Sequence, residues 1–278
     1  MRTGAAALIG VLLAACSGGG NLTQGNAQTP ALKAWAEFPV NASPRPIVLI
    51  GGTANGPSGF ATEDEKLAFM AGAIDRPPHL PTGPATAEGY PIISADRAWE
   101  LLRTQGSKIS ASPGGTRLTI TDVRLGKSTF ETDRADLTMP AWLFTIAGAD
   151  GQVAVLAVAQ EAQWFPSGLA PGRAGEQYWA GAAVGSDHRT LTVSLIGAQE
   201  SGPCGARYEV RLTESATAVM VTRIEHPNQS APAINGTSVA CDLVGHLRKA
   251  SPAVLNAPLG ARVLIDDLGY PIGVSGNP

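Results

Sequence analysis

The chain has 278 residues, 44% hydrophobic and 15% charged, with a formal net charge of −3, enough to bury the core of one large domain or two small ones. No Lys/Arg-rich run occurs, which excludes a nucleic-acid binder working through a basic stripe and a polybasic membrane patch. Gly 33 and Pro 21 make it turn-rich without reaching the composition of a disordered chain.

In chain order, Met1-Arg2-Thr3 gives a positive start, and an uncharged apolar stretch runs from Gly4 to Ala15. Small residues follow at its exit. This is the pattern of a secretory signal peptide, and the run is shorter than the about 20 apolar residues that span a bilayer. Its ending, Leu13-Ala14-Ala15-Cys16, resembles the lipobox of bacterial lipoproteins. That resemblance implies cleavage after residue 15, a diacylglyceryl thioether on Cys16 and a fatty acyl chain such as palmitate on its new amino group. It places the protein at the cell membrane, lipid-anchored on the extracytoplasmic face. Residues 16–34, rich in Gly, Ser, Asn and Gln, read as a flexible tether.

A folded α+β lobe is expected over 35–162. Pro46 to Gly51 is an apolar run bounded by Pro and Gly, as a buried strand would be. Thr62 and Glu65 have capping-box spacing, opening a helix that ends before Pro77-Pro78. Ser94-Ala95-Asp96 opens a second helix, with Ala98, Leu101 and Leu102 on one face. Arg117 to Val123 alternates like a half-buried strand. Two further strands, 141–146 and 153–158, flank Asp150-Gly151, a hairpin signal.

Residues 163–186 combine five glycines with Trp164, Phe165, Tyr178 and Trp179 and read as a junction between two lobes. Beyond it, a smaller all-β lobe is expected over 187–278, with strands near 190–196, 208–212, 218–224, 238–249 and 261–266. The expected fold class is α+β, mainly antiparallel β, with two helices in the N-terminal lobe and a small all-β, disulfide-linked C-terminal lobe. Cys204 and Cys241 form an even pair in an exported chain, where disulfides persist. A crosslink closing a loop of this size contributes about 4 kcal/mol. A free pair, or a two-cysteine metal site, is the competing reading.

Phe38-Pro39-Val40, Ser43-Pro44-Arg45-Pro46, Pro140-Ala141-Trp142-Leu143-Phe144, the two cysteines and Pro258-Leu259-Gly260-Ala261-Arg262 resemble recurring features of an uncharacterised family of secreted actinobacterial proteins. The likeness implies export and brings no activity or site residue with it.

Candidate chemistry is sparse. Gly51-Gly52-Thr53-Ala54-Asn55-Gly56 follows a strand-like run, but Pro57-Ser58 stands where a phosphate loop needs Gly-Lys-Ser/Thr. No G-x-S-x-G elbow accompanies His79, His188, His226 or His246, and adjacent pairs such as Glu225-His226 point to opposite faces of a strand. Asp133 and Asp136, flanking Arg134, and Asp266-Asp267 read as solvated turns rather than calcium ligands. No catalytic residue, metal site or cofactor motif is assigned. Trp164, Phe165, Tyr178 and Trp179 are the candidate binding cluster, able to line a ligand groove, to anchor a partner or to pack the two lobes together. The expected function is therefore a non-enzymatic envelope lipoprotein that binds a protein or small-molecule partner. An envelope hydrolase with a dispersed site, and an accessory subunit of a membrane complex, are the alternatives.

Overall fold

The computed structural model describes residues 29–105, 115–169, 179–202, 204–228 and 245–276. Cys16, Tyr178 and Cys241 lie outside the described residues. The fold is mainly antiparallel β with few helices. Its elements in order are α1 (Pro30–Ala34), β1 (Ala54–Asn55), β2 (Gly59–Phe60), α2 (Glu63–Met70), β3 (Thr86–Ala87), β4 (Tyr90–Pro91) and α3 (Ala95–Gln105). Then come β5 (Ile120–Thr132), β6 (Ala135–Ile146), β7 (Ala149–Asp150), β8 (Gln152–Leu156), β9 (Trp179–Val184) and β10 (Thr190–Gly197). The last are β11 (Ala206–Glu214), β12 (Ala218–Pro227), β13 (His246–Lys249), β14 (Ala253–Val254), β15 (Val263–Asp266) and β16 (Val274–Ser275).

Both expected helix starts are present for the reasons their sequences give. The Thr62 hydroxyl accepts the Glu65 N–H at 3.2 Å, and Glu65 Oε2 accepts the Thr62 N–H at 2.9 Å, a complete capping box for α2. Ser94 Oγ accepts the Arg97 N–H at 3.1 Å ahead of α3. α3 buries Ala95, Ala98 and Leu102 against one face of a four-stranded sheet of order β1-β8-β6-β5. Trp142 and Phe144 of β6 meet it there, while Met139, Ala141 and Leu143 face Ile47, Phe130 and Leu156 on the other side. A central strand covered on both faces reads as a continuous apolar run, as Met139 to Phe144 does. The turn after β6 is wider than a two-residue hairpin, because Ala149 and Asp150 pair with Phe60 and Gly59 of β2.

The C-terminal strands make two sheets. One has the order β13-β10-β9-β16, with β14 also on β10; the other has the order β11-β12-β15. Their facing sides share a core in which Ala182, Leu191, Val193 and Val274 meet Val219, Val221 and Leu264. Two pairings, β12 with β15 and β16 with β9, are parallel. That departs from the expected antiparallel set over 187–278: strands distant in sequence close these sheets, and distant pairings are free to run either way.

Three expectations change in detail. Residues 30–34, read as the end of a tether, form α1, with Ala31 and Leu32 buried. They join Trp35, Phe38 and Val48 against Ala218, Met220, Val263 and Ile265, and Trp35 Nε1 donates to the Gly269 carbonyl at 2.8 Å. The run at Pro46–Gly51 makes only single bridges, Ile47 to Gln163 and Leu49 to Thr132. Residues 179–184, read as junction, are strand β9 inside a sheet.

Candidate functional site

The long β5–β6 hairpin ends in the turn Thr132-Asp133-Arg134-Ala135, which docks onto the C-terminal strands. Both oxygens of the Asp133 carboxylate are held by Arg45, Nη1 to Oδ1 at 3.1 Å and Nη2 to Oδ2 at 2.5 Å, and the Asp133 side chain is 1% exposed. Arg45 Nε donates to the Ala261 carbonyl, Arg134 Nη2 to the carbonyls of Gly260 and Arg262, and the Val274 N–H to the Asp133 carbonyl. Burial, opposed by Asp133 and reinforced by Arg45, lowers the Arg134 guanidinium to about 10. Asp133 is therefore not the solvated turn residue its sequence setting implied. It is the anion that lets two arginines sit in the interface.

Beside this docked tip lies a cleft of about 810 Å³. Strand register explains its floor. Ser275 pairs with Ala183, Ala183 with Thr192, Gly181 with Ser194, and Ser194 with Lys249, which places all six on one face of the five-stranded sheet. The opposite face carries Ala182, Leu191, Val193 and Val274, the core residues. Small side chains on the open face leave a shallow, polar floor. A register shift between Ser194 and Leu195 matches an extra residue in β9, where Gly181 takes φ +126°; the bulge redirects Trp179 at the end of the floor.

Residues of the hairpin (Glu131, Thr132, Ala135, Asp136) and of the chain from Asp266 to Gly273 also line the cleft, with Phe165 and Trp179. Glu131 and Asp136 are directly opposite one another across β5 and β6. Like charges in that register repel, and among the described residues neither has an ion-pair partner. Asp266 is 7% exposed, although its sequence setting read as a solvated turn. Its Oδ1 accepts the N–H groups of Leu268 at 3.0 Å and Tyr270 at 2.7 Å. Burial raises its pKa first of all, the N–H groups of Tyr270, Leu268 and Gly269 oppose that, and Asp267 adds repulsion. Lys249 is the basic residue among the described residues that line the cleft.

The aromatic candidates separate. Phe165 and Trp179 line the cleft, and Trp179, paired with Leu195 across the strands, also packs against the cluster of Leu195, Ala206, Tyr208 and Ala250. Trp164 is half-buried and packs against the cluster of Trp35 and Phe38, with its ring edge-on to Phe38 at 5.9 Å. Tyr178 is outside the described residues. His226 faces Glu209 across β11 and β12, Nε2 to Oε2 at 3.4 Å, with both side chains exposed. Among the described residues no group of three His, Cys, Asp or Glu is arranged to hold a metal ion. Cys204 stands in the turn before β11, and Cys16 and Cys241 both lie outside the described residues. Sequence reading missed Glu131, Asp136, Asp266 and Tyr270 as cleft residues, and nothing local marks them. Compared with known protein families, curated proteins and solved structures, the chain finds no match.

Proposed function

We propose that this chain is a lipid-anchored, extracytoplasmic binding protein, non-enzymatic, that holds its ligand in the cleft between the β5–β6 tip and the floor of β9 and β10. The observation that carries the binding part is the cleft itself. It is large enough for a small organic molecule, has an apolar aromatic rim in Phe165 and Trp179, and has a few polar groups converging on it. The anchor rests on the sequence alone: Leu13-Ala14-Ala15-Cys16 and its flanks. The same proposal includes a crosslink from Cys204 to Cys241 and a division into an N-terminal α+β lobe and a disulfide-linked C-terminal β lobe, of the kind that secreted actinobacterial proteins carry. Multiple acyl chains on Cys16 make the membrane attachment stable, since a single chain binds only marginally.

Expression of Cys16→Ser in a bacterium with lipoprotein processing tests the anchor. The substitution moves the protein from membrane to medium and abolishes incorporation of labelled fatty acid; retention on the membrane contradicts the proposal.

The hydrolase reading has one geometric handle. Ser194 and Lys249 stand directly opposite on neighbouring strands of the cleft floor, a nucleophile beside an amine. Neither side chain makes a hydrogen bond among the described residues, and Lys249 is exposed, whereas a lysine base works from a desolvated setting. An esterase and peptidase substrate panel decides: turnover abolished by Ser194→Ala would replace the binding reading with catalysis.

A further inference from the structure

Among the described residues the cleft holds three carboxylates and one lysine, and no ion pair among those residues matches the carboxylates. Asp266 is more than nine-tenths buried, and the charged neighbour acting on it is Asp267, which is of the same sign. Burying an ionised carboxylate without a cation is unfavourable, and the N–H groups of Tyr270, Leu268 and Gly269 offset that burial without supplying a positive charge. Glu131 and Asp136 add a second cost, two like charges in direct cross-strand register with no described counter-ion. The protein pairs its other interior acid fully, Asp133 with Arg45, so leaving these three unpaired is not general to the fold. The three do not gather into a metal-binding group, so one divalent ion does not account for them. Around them stand Phe165, Trp179 and Tyr270, whose ring faces attract cations.

Resting on the reading of the cleft as a binding site, we infer that its ligand is an organic cation: an ammonium group on an apolar or aromatic body. Asp266 is the counter-ion of the ammonium. Glu131 and Asp136, both exposed, draw the cation in, and the small-residue floor of Gly181, Ala183, Thr192 and Ser194 leaves room for the body beside Trp179.

Three probes with one aromatic body and different heads test this on the full chain in non-ionic detergent: phenethylammonium, phenethyl alcohol and phenylpropionate, followed by ligand-observed NMR titration. The ammonium binds at least tenfold tighter than the alcohol, and Asp266→Asn removes that preference. Asn keeps the Oδ1 acceptor for Leu268 and Tyr270, so a purely structural Asp266 leaves binding unchanged in that variant. The double variant Glu131→Gln, Asp136→Asn, at exposed positions, provides an independent check; it weakens ammonium binding and flattens its salt dependence. Equal binding of ammonium and alcohol, a preference for the carboxylate, or an ammonium preference that survives Asp266→Asn overturns the cation inference and leaves the cleft as a binding site. Failure of all three probes to bind overturns both.

Discussion

Replacing Asp133 by Ala removes the anion on which the β5–β6 tip is docked. The carboxylate is 1% exposed and accepts two N–H bonds from Arg45, whose own side chain is 21% exposed. Arg134 lies beside the same oxygen, Nε to Oδ2 at 3.9 Å, at 16% exposure. The variant leaves two guanidinium groups close together in a desolvated interface with no counter-ion. Removing one partner of a buried pair costs about 3–5 kcal/mol. Arg45 keeps part of its hydration, which puts the expected loss near the lower end, about 3 kcal/mol. That is a large share of the about 5–15 kcal/mol that a domain possesses. Urea unfolding followed by tryptophan fluorescence measures it, with a midpoint drop of about 1–2 M at an ordinary denaturant slope. The paired replacement Arg45→Met, Asp133→Leu recovers part of the loss, since it removes one of the two guanidinium groups and fills the site with apolar volume, while Arg134 keeps its bonds to the carbonyls of Gly260 and Arg262. A loss under about 1 kcal/mol for Asp133→Ala, or no recovery in the double variant, refutes the assignment of the tip as an electrostatic dock.

Two predictions concern pH. Asp266 has a raised folded-state pKa, so the fold favours its protonated form, and the wild type loses stability as pH rises through the ordinary carboxylate range toward the raised value. Asp266→Asn therefore matches the wild type in thermal stability near pH 3 and exceeds it at pH 7; a variant less stable than wild type at pH 7 contradicts the buried-charge account. Asp187 behaves oppositely: the Thr190 hydroxyl first, then the N–H groups of Thr190 and Arg189, hold its carboxyl down to about 2. Its contribution to the turn before β10 is complete above the ordinary carboxylate range and is lost as pH falls toward 2, so Asp187→Asn flattens the acid side of the melting-temperature profile.

Local signals in the sequence proved legible where the structure is local. Thr62 and Glu65 announce a helix start because both partners of the capping box lie within one turn. The alternation in Thr190 to Ile196 announces a half-buried strand because one face is core and the other is cleft floor. Strand β9 was hidden, since Ala-Gly-Ala-Ala has no apolar–polar contrast to show a period of two. Burial of Asp133 and Asp266 was hidden for another reason. An acid next to a turn reads as solvated, and what encloses these two comes from far along the chain: Arg45 stands 88 positions from Asp133. The candidate aromatics were half legible. A cluster in sequence put Phe165 and Trp179 in the cleft, but Trp164, beside Phe165, packs against the cluster of Trp35 and Phe38.

Filling the cleft tests the central claim most directly. Ala183 is exposed on the floor, opposite Thr192 and Ser275, and its side chain points away from the core face. Ala183→Trp, titrated with phenethylammonium beside the wild type, is predicted to keep the wild-type melting temperature and to lose binding of the probe. Unchanged binding in a folded Ala183→Trp protein would show that the cleft is not where this chain holds a ligand.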